Sequence, residues 1–191
     1  MNITAYKILL ASNSPRRKEL LKGLDIDFEV KVLPDIDESY PNSLPAEHVA
    51  EFVAQKKADS YINSLKADEL LITADTVVIL DGVIFGKPNN EEEAKEMLHA
   101  LSGKTHRVVS GVSLASIDKQ TSFSVSSDVE FSELTNQEID YYIGRYSPFD
   151  KAGSYGVQEW IGYIGVKHIN GSYYNIMGLP IQRLYKEIIS F

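Results

Sequence analysis

The stretch Leu70-Leu71-Ile72-Thr73-Ala74-Asp75-Thr76-Val77-Val78-Ile79-Leu80-Asp81-Gly82-Val83-Ile84-Phe85 decides how this chain is read. Two apolar runs, Leu70–Thr73 and Thr76–Leu80, read as strand, and the second leads into Val83–Phe85. Asp81-Gly82 between them is a hairpin signal, because both residues tolerate positive φ. Inside the run, Thr73-Ala74-Asp75-Thr76 is a polar interruption. A carboxylate buried there unpaired would cost several kcal/mol, so Asp75 is expected to be ion-paired, metal-bound or functional. The alternative is a bulge that points the side chain to water.

Outward from this hairpin, strands and helices alternate, which predicts an α/β class. Upstream, Tyr6–Leu10 reads as a short buried strand. Pro15–Leu24 reads as a helix with Leu20, Leu21 and Leu24 on one face. Phe28–Val32 alternates like a strand, Asp35–Asn42 is an acidic, turn-rich loop, and Pro45 to about Leu65 is the longest helical pattern. Downstream, Asn90–Leu101 reads as a helix whose first turn holds Glu91, Glu92 and Glu93, complementing the helix dipole. His106–Ile117 and Ser122–Phe131 read as strands. Thr135 and Glu138 form a capping box that opens a helix to about Tyr146. Tyr163–Ile169 and Ser172–Met177 are expected to be strands flanking a second hairpin at Asn170-Gly171, and Pro180 opens a C-terminal helix. Hairpins together with crossovers argue against a purely parallel doubly wound sheet.

Composition narrows the function classes. The chain has 191 residues, 43% hydrophobic and 24% charged, an ordinary globular mix. It has no cysteine, which excludes disulfides, thiol nucleophiles and Cys-based zinc sites. A formal net charge of −8 argues against a global grip on duplex nucleic acid. An anionic substrate must therefore be held by a local basic pocket. No apolar run approaches the ~18 residues needed to span a bilayer. The short apolar run Ile8–Ala11 does not read as an export signal, so a cytoplasmic location is expected.

Three polar clusters sit where strands end and loops begin. Ser12-Asn13-Ser14-Pro15-Arg16-Arg17 offers hydroxyls, a helix N-terminus and two guanidinium groups, all suited to a phosphate chain. The same residues also read as a helix cap followed by solvated arginines. Gly86-Lys87-Pro88 holds a lysine between two residues that shape the backbone, fit either for a phosphate contact or for a plain turn. In Asp150–Gln158, two glycines permit close approach of a planar ligand. The Gln158 amide suits the edge of a base, while an ordinary glycine-rich connection has the same composition. Gly103-Lys104-Thr105 looks like the end of a P-loop, but Leu98 stands where that motif needs glycine. His48, His99, His106 and His168 show no metal-ligand spacing. They are expected on the surface or in loops, with His106 supporting the site from a loop.

In order along the chain, Leu10–Arg17, Ala74-Asp75-Thr76, Gly86-Lys87-Pro88, Leu101-Ser102-Gly103 with His106, Asp150–Gln158 and Tyr173–Pro180 resemble the Maf nucleotide pyrophosphatases. The resemblance covers nearly the whole chain and implies a single Maf-like domain, residues 1–191. It implies a Maf/ITPase-like α/β fold: a mixed sheet with flanking helices and two lobes around a deep cleft, often dimeric, so a homodimer is expected. The implied activity is hydrolysis of nucleoside triphosphates between the α and β phosphates, a house-cleaning of nucleotide pools that needs a divalent cation.

The same resemblance makes Asp75 the proton acceptor, with Glu38, Lys57 and Lys87 the other polar positions of the cleft. Asp37 stands as the alternative to Glu38, because the 35–38 loop differs in length from the family pattern. Glu38 and Asp75 are expected to bind Mg2+ or Mn2+, hard cations that prefer oxygen, and Ser12, Ser14 and Arg17 to cradle the phosphates. Arg16, Thr76 and Gln158 match the subgroup that prefers dTTP and UTP. The rivals are the same chemistry on a modified purine such as methylated GTP, and a nucleotide-binding regulator of cell division without catalysis.

Overall fold

The computed structural model describes residues 5–191. Along them run β1 (Lys7–Leu10), α1 (Pro15–Lys22), β2 (Phe28–Val30), α2 (Ala46–Asp59), β3 (Glu69–Leu80), β4 (Val83–Phe85) and α3 (Glu91–Leu101). Then come β5 (Thr105–Ala115), β6 (Gln120–Phe131), α4 (Asn136–Tyr146), α5 (Trp160–Gly165), β7 (Val166–Asn170), α6 (Tyr173–Ile176) and α7 (Ile181–Ser190). The strands form one sheet in the hydrogen-bonded order β2-β1-β3-β5-β6-β7, with β4 paired to β3. β1 runs parallel to β2 and β3, while β4 on β3 and β7 on β6 are antiparallel. The expected mixed α/β architecture with flanking helices is the one found.

The parallel pairs follow from local signals. Antiparallel neighbours need only a tight turn, but parallel neighbours need a crossover. The β1–α1–β2 connection supplies one, started by the Ser14 cap and Pro15. β1 buries Ile8, Leu9 and Leu10, the run expected of a strand covered on both faces. β3 is continuous through the polar interruption, and Asp75 and Thr76 are the only two of its twelve residues that are not buried. At its end Asp81 (φ 51°) and Gly82 (φ 79°) make the predicted hairpin to β4.

The chain divides into two compact units. The first comprises the chain up to Asp75, Ser110–Val125 and Gly178–Phe191. Leu9, Leu71, Ala58, Tyr61 and Ala115 form one of its apolar clusters. A Cβ on Gly111 would lie 2.2 Å from the Glu51 nitrogen, so the absence of a side chain there lets β5 lie against the backbone of α2. The second unit comprises Thr76–Val109 and Ser126–Met177. Its core gathers Leu98 and Leu101 of α3, Ile139, Tyr142 and Ile143 of α4, and Val108, Val129 and Phe131 of the strands. Asn90 caps α3 and the predicted Thr135–Glu138 capping box opens α4.

Three expectations are corrected. The helix starting near Pro45 ends at Asp59, and a single 3-10 turn follows at Ile62–Ser64. Tyr163 lies in α5, and the following strand is confined to Val166–Asn170. A Cβ on Gly162 would fall 1.9 Å from the Val157 carbonyl oxygen, so a tight helical turn packs where a strand was expected. Ser172–Met177 is not a strand either: the Ser172 hydroxyl accepts the Asn175 N–H and caps α6, so Asn170-Gly171 joins strand to helix. Apolar runs this short carry no period long enough to separate strand from helix.

Candidate active site

In the first unit, the register of β1 on β3 pairs Leu10 with Ile72, and the Ala11 N–H donates to the Ile72 carbonyl at 2.9 Å. The chain leaving β1 therefore runs beside Thr73–Asp75. Ser12 is buried and its Oγ accepts the Ser14 N–H at 3.2 Å, while the Ser14 Oγ accepts the Arg17 N–H at 3.5 Å. A hydroxyl oxygen that accepts in this way still has its own hydrogen to give an anion. The first turn of α1 carries no acidic residue, and Arg16 and Arg17 stand there instead. Cations at the positive end of a helix are unfavourable by themselves and become favourable when an anion is bound.

Arg17 ties two segments together. Its Nε donates to the Gly178 carbonyl at 2.9 Å and one terminal nitrogen donates to the Ala74 carbonyl at 2.9 Å. Burial pushes this guanidinium below its ordinary range, and the nearby Asp75 charge opposes that shift. Arg17 thus fixes the backbone next to Asp75 as well as supplying charge.

The centre of the cluster is Lys57. Val49, Val53 and Lys57 follow one another at helical i, i+4 spacing, which puts the lysine at the end of the buried stripe of α2. Its Nζ lies 2.9 Å from Asp75 Oδ1 and 3.0 Å from Glu38 Oε1. The Lys57 and Asp75 side chains are 12% and 18% exposed, whereas Glu38 is 51% exposed, so one partner is fixed in the fold and the other reaches in from a loop. Asp37 turns the other way: it pairs with Lys56 at 2.6 Å and takes the Ser39 N–H, and these contacts hold its carboxyl well below the usual range. Of the two loop carboxylates, Glu38 is the one at Lys57 and Asp75.

Thr76, Lys87 and Gln158 belong to the second unit. Thr76 is partly exposed on β3, and Lys87 is exposed just after β4. The Gly153 N–H donates to the Gly86 carbonyl at 3.0 Å, tying the lysine turn to the loop that leads to Gln158. Among the described residues, Gln158 Oε1 is buried without a hydrogen-bond partner, a state that costs about 1–3 kcal/mol until a donor arrives. His106 is not in a loop. It lies in β5, 2% exposed, with Nε2 2.7 Å from the Tyr155 hydroxyl and edge-on contacts to Phe131 and Tyr155. Burial lowers its pKa to about 4, against a smaller opposing pull from Asp128. His48, His99 and His168 are exposed.

Sequence reading passed over Tyr142 and Glu159. The Tyr142 hydroxyl donates to Glu159 Oε2, and Lys151 Nζ lies 3.1 Å from Glu159 Oε1. A tyrosine within the buried stripe Ile139, Tyr142, Ile143 was the available signal, because a buried phenol needs a polar partner.

Among the described residues no group of three His, Asp or Glu side chains gathers as a metal cluster. Two carboxylates brought to one point are nevertheless the donor set that Mg2+ uses when phosphates and water complete its shell. Glu38 and Asp75, both within 3.0 Å of the same ammonium, fit that requirement.

Fold and cluster define an α/β protein with a lysine-bridged carboxylate pair beside an anion-ready helix N-terminus. The chain belongs to the Maf-like protein family, whose model matches residues 7–191. A Phocaeicola vulgatus protein named dTTP/UTP pyrophosphatase is 60% identical over 98% of this chain and 97% of its own length. A Parabacteroides distasonis protein of the same name is 58% identical over 100% of this chain and 98% of its own. A solved HAM1 protein from Coxiella burnetii covers 97% of this chain and 100% of its own with a TM-score of 0.49 and 16% identity. No helix among the described residues is long and apolar enough to cross a membrane.

Proposed function

We infer that this chain is a nucleoside triphosphate pyrophosphatase that hydrolyses dTTP and UTP to the monophosphate and pyrophosphate. The observation that carries the reading is Lys57 held between Asp75 and Glu38, within a chain so similar to proteins of that name. Hydrolysis of a phosphoanhydride requires a water to lose a proton while charge builds on phosphate oxygens. Asp75 is the base: Lys57 donates to its carboxylate and Arg17 fixes the backbone before it through the Ala74 carbonyl, so it meets a water without reorganising. Lys57 and Lys87 neutralise phosphate oxygens, and Ser12, Ser14 and the first turn of α1 receive the chain of phosphates. Arg16, Thr76 and Gln158 select the pyrimidine.

Glu38 and Asp75 are the residues that would hold Mg2+ or Mn2+, which when bound screens phosphate charge and acidifies a coordinated water. Glu38 and Asp75 outweigh the single charge of Lys57, and a divalent cation would offset that excess when a triphosphate binds, which favours this reading over a binding protein without catalysis. The reading carries with it a cytoplasmic location, where nucleoside triphosphates are made and used.

A panel of nucleoside triphosphates assayed for pyrophosphate release, with Mg2+ or Mn2+ and with EDTA, tests the reading. Release from dTTP and UTP that disappears in EDTA is expected. Release mainly from a purine triphosphate would overturn the assigned substrate, and silence from folded protein would overturn the activity.

A further inference from the structure

Thr73 opens the polar interruption of β3, yet the reaction as described gives it no task. It is fully buried, and its Oγ1 donates to the Ala54 carbonyl of α2 at 2.6 Å. Valine would fill the same volume and suits a buried strand equally well, so what threonine adds is this bond. A helical carbonyl already accepts the N–H four residues on, and its second lone pair takes the threonine hydrogen.

The bond lies beside the Lys57–Asp75 pair. Side chains alternate between the faces of a strand, so Thr73 and Asp75 share one face, and both engage α2. On the helix, Ala50, Ala54 and Lys57 follow at i, i+4 and i+7, a single stripe. Ala50 and Ala54 are fully buried and carry only a methyl group, so α2 lies close to the sheet. Gly111 of β5 sets that depth: a Cβ there would fall 2.3 Å from the Ala50 carbonyl oxygen and 2.2 Å from the Glu51 nitrogen. One turn further along the helix Thr73 holds Ala54. About a turn beyond that, Lys57 reaches Asp75 Oδ1 at 2.9 Å.

The two attachments do different things. Contact between small groups fixes how near the helix lies but has no preferred direction, so it permits sliding and turning. A hydrogen bond is directional and fixes the place along and around the helix axis. A slip of less than one residue, each residue rising 1.5 Å, displaces the root of the Lys57 side chain by about 1 Å. The side chain follows only by leaving its staggered rotamers or by lengthening its contact with Asp75. Misplacement by that distance costs up to ~100-fold in rate.

We propose that Thr73 is a positioning residue: its bond to the Ala54 carbonyl sets the axial position of α2 on β3 and so holds Lys57 Nζ against Asp75 for the proton transfer. The proposal rests on the reading of Asp75 as the base and Lys57 as its partner. Its test is kcat and KM for dTTP in wild type, Thr73→Val, Thr73→Ser, Lys57→Met and the double variant Thr73→Val/Lys57→Met, each confirmed folded by its melting curve. Thr73→Val keeps the shape and removes the donor, and is expected to lower kcat about 10-fold. KM is expected to stay within about twofold, because Ser12, Ser14 and the first turn of α1 receive the phosphates. Thr73→Ser, which keeps the hydroxyl, is expected to restore kcat to within about threefold of wild type. In the Lys57→Met background, Thr73→Val is expected to lower kcat by less than about twofold more.

A kcat unchanged in Thr73→Val, while Lys57→Met loses rate, would overturn the proposal and leave the reading of the site intact. A Thr73→Ser protein as slow as Thr73→Val would overturn it by assigning the effect to the lost methyl group. So would a tenfold loss repeated in the Lys57→Met background, or a loss confined to KM. Should Thr73→Val fail to fold, Thr73→Cys, of similar size and a weak donor, carries the test: a kcat about threefold below wild type is expected, and an unchanged one would refute the role. Full activity in Lys57→Met would defeat both the proposal and the reading beneath it.

Discussion

Replacing Asp75 with asparagine separates the two roles the carboxylate plays, as partner of Lys57 and as base. At 2.9 Å from Lys57 Nζ, the gross attraction of the pair at an effective dielectric constant near 20 is about 6 kcal/mol. Most of this is cancelled by the desolvation of two largely buried groups. The net worth of a hydrogen bond to a charged group is about 1.5–3 kcal/mol. Asparagine keeps an oxygen that accepts from Lys57, and Glu38 remains paired to the same ammonium at 3.0 Å. The stability loss is therefore expected to be about 1–2 kcal/mol, a fall in Tm of about 2–8 °C for a chain of this size. Against a typical stability of about 5–15 kcal/mol, the variant is folded at 25 °C. The amide has no basicity to take a proton from water, so kcat is expected to fall at least ~100-fold, equivalent to about 2.7 kcal/mol on the barrier. Thermal melts and initial rates of pyrophosphate release on the same preparation check both numbers. A folded Asp75→Asn protein with kcat within tenfold of wild type would refute the base assignment, whatever its Tm.

Two further outcomes follow from the same geometry. Glu38→Gln is expected to lower pyrophosphate release at least ~10-fold, while Asp37→Asn, whose hydrogen bonds among the described residues run to Lys56 and Ser39, is expected to stay within about twofold of wild type; equal effects would show that the loop carboxylates are not distinguished as described. His106 resists protonation until about pH 4 in the folded state, whereas the unfolded chain binds that proton below pH 6.5. Stability is therefore unaffected above pH 6.5 and falls by about 3 kcal/mol between pH 6.5 and 4. Urea unfolding of wild type and His106→Gln across that window checks this, and identical pH slopes would count against it.

Much of the fold was legible because its signals are local. Asp81-Gly82 specified a turn by backbone freedom, Thr135 and Glu138 specified a helix start, and the apolar runs Leu70–Thr73 and Thr76–Leu80 specified buried strand on either side of Asp75. Tyr163–Met177 was not legible in this way, because its segments are too short to show a period and the packing of Gly162 on Val157 outweighed their β character. Asp75 stood out in the sequence because a carboxylate within an apolar run needs a partner. Which partner it finds is a matter of how far α2 extends and which way the 35–39 loop turns, and pairing Lys57 with Glu38 and Lys56 with Asp37 depends on contacts between residues 19 positions apart. Short-range chemistry along the chain thus determined the α/β class, most of its elements, and Ser12, Ser14, Arg16, Arg17 and Asp75 as polar residues of interest. Only the tertiary structure decided which carboxylates share Lys57, that His106 is buried in a strand, and that Tyr142 and Lys151 meet at Glu159, since burial and charge pairing are set by neighbours that the chain order does not reveal.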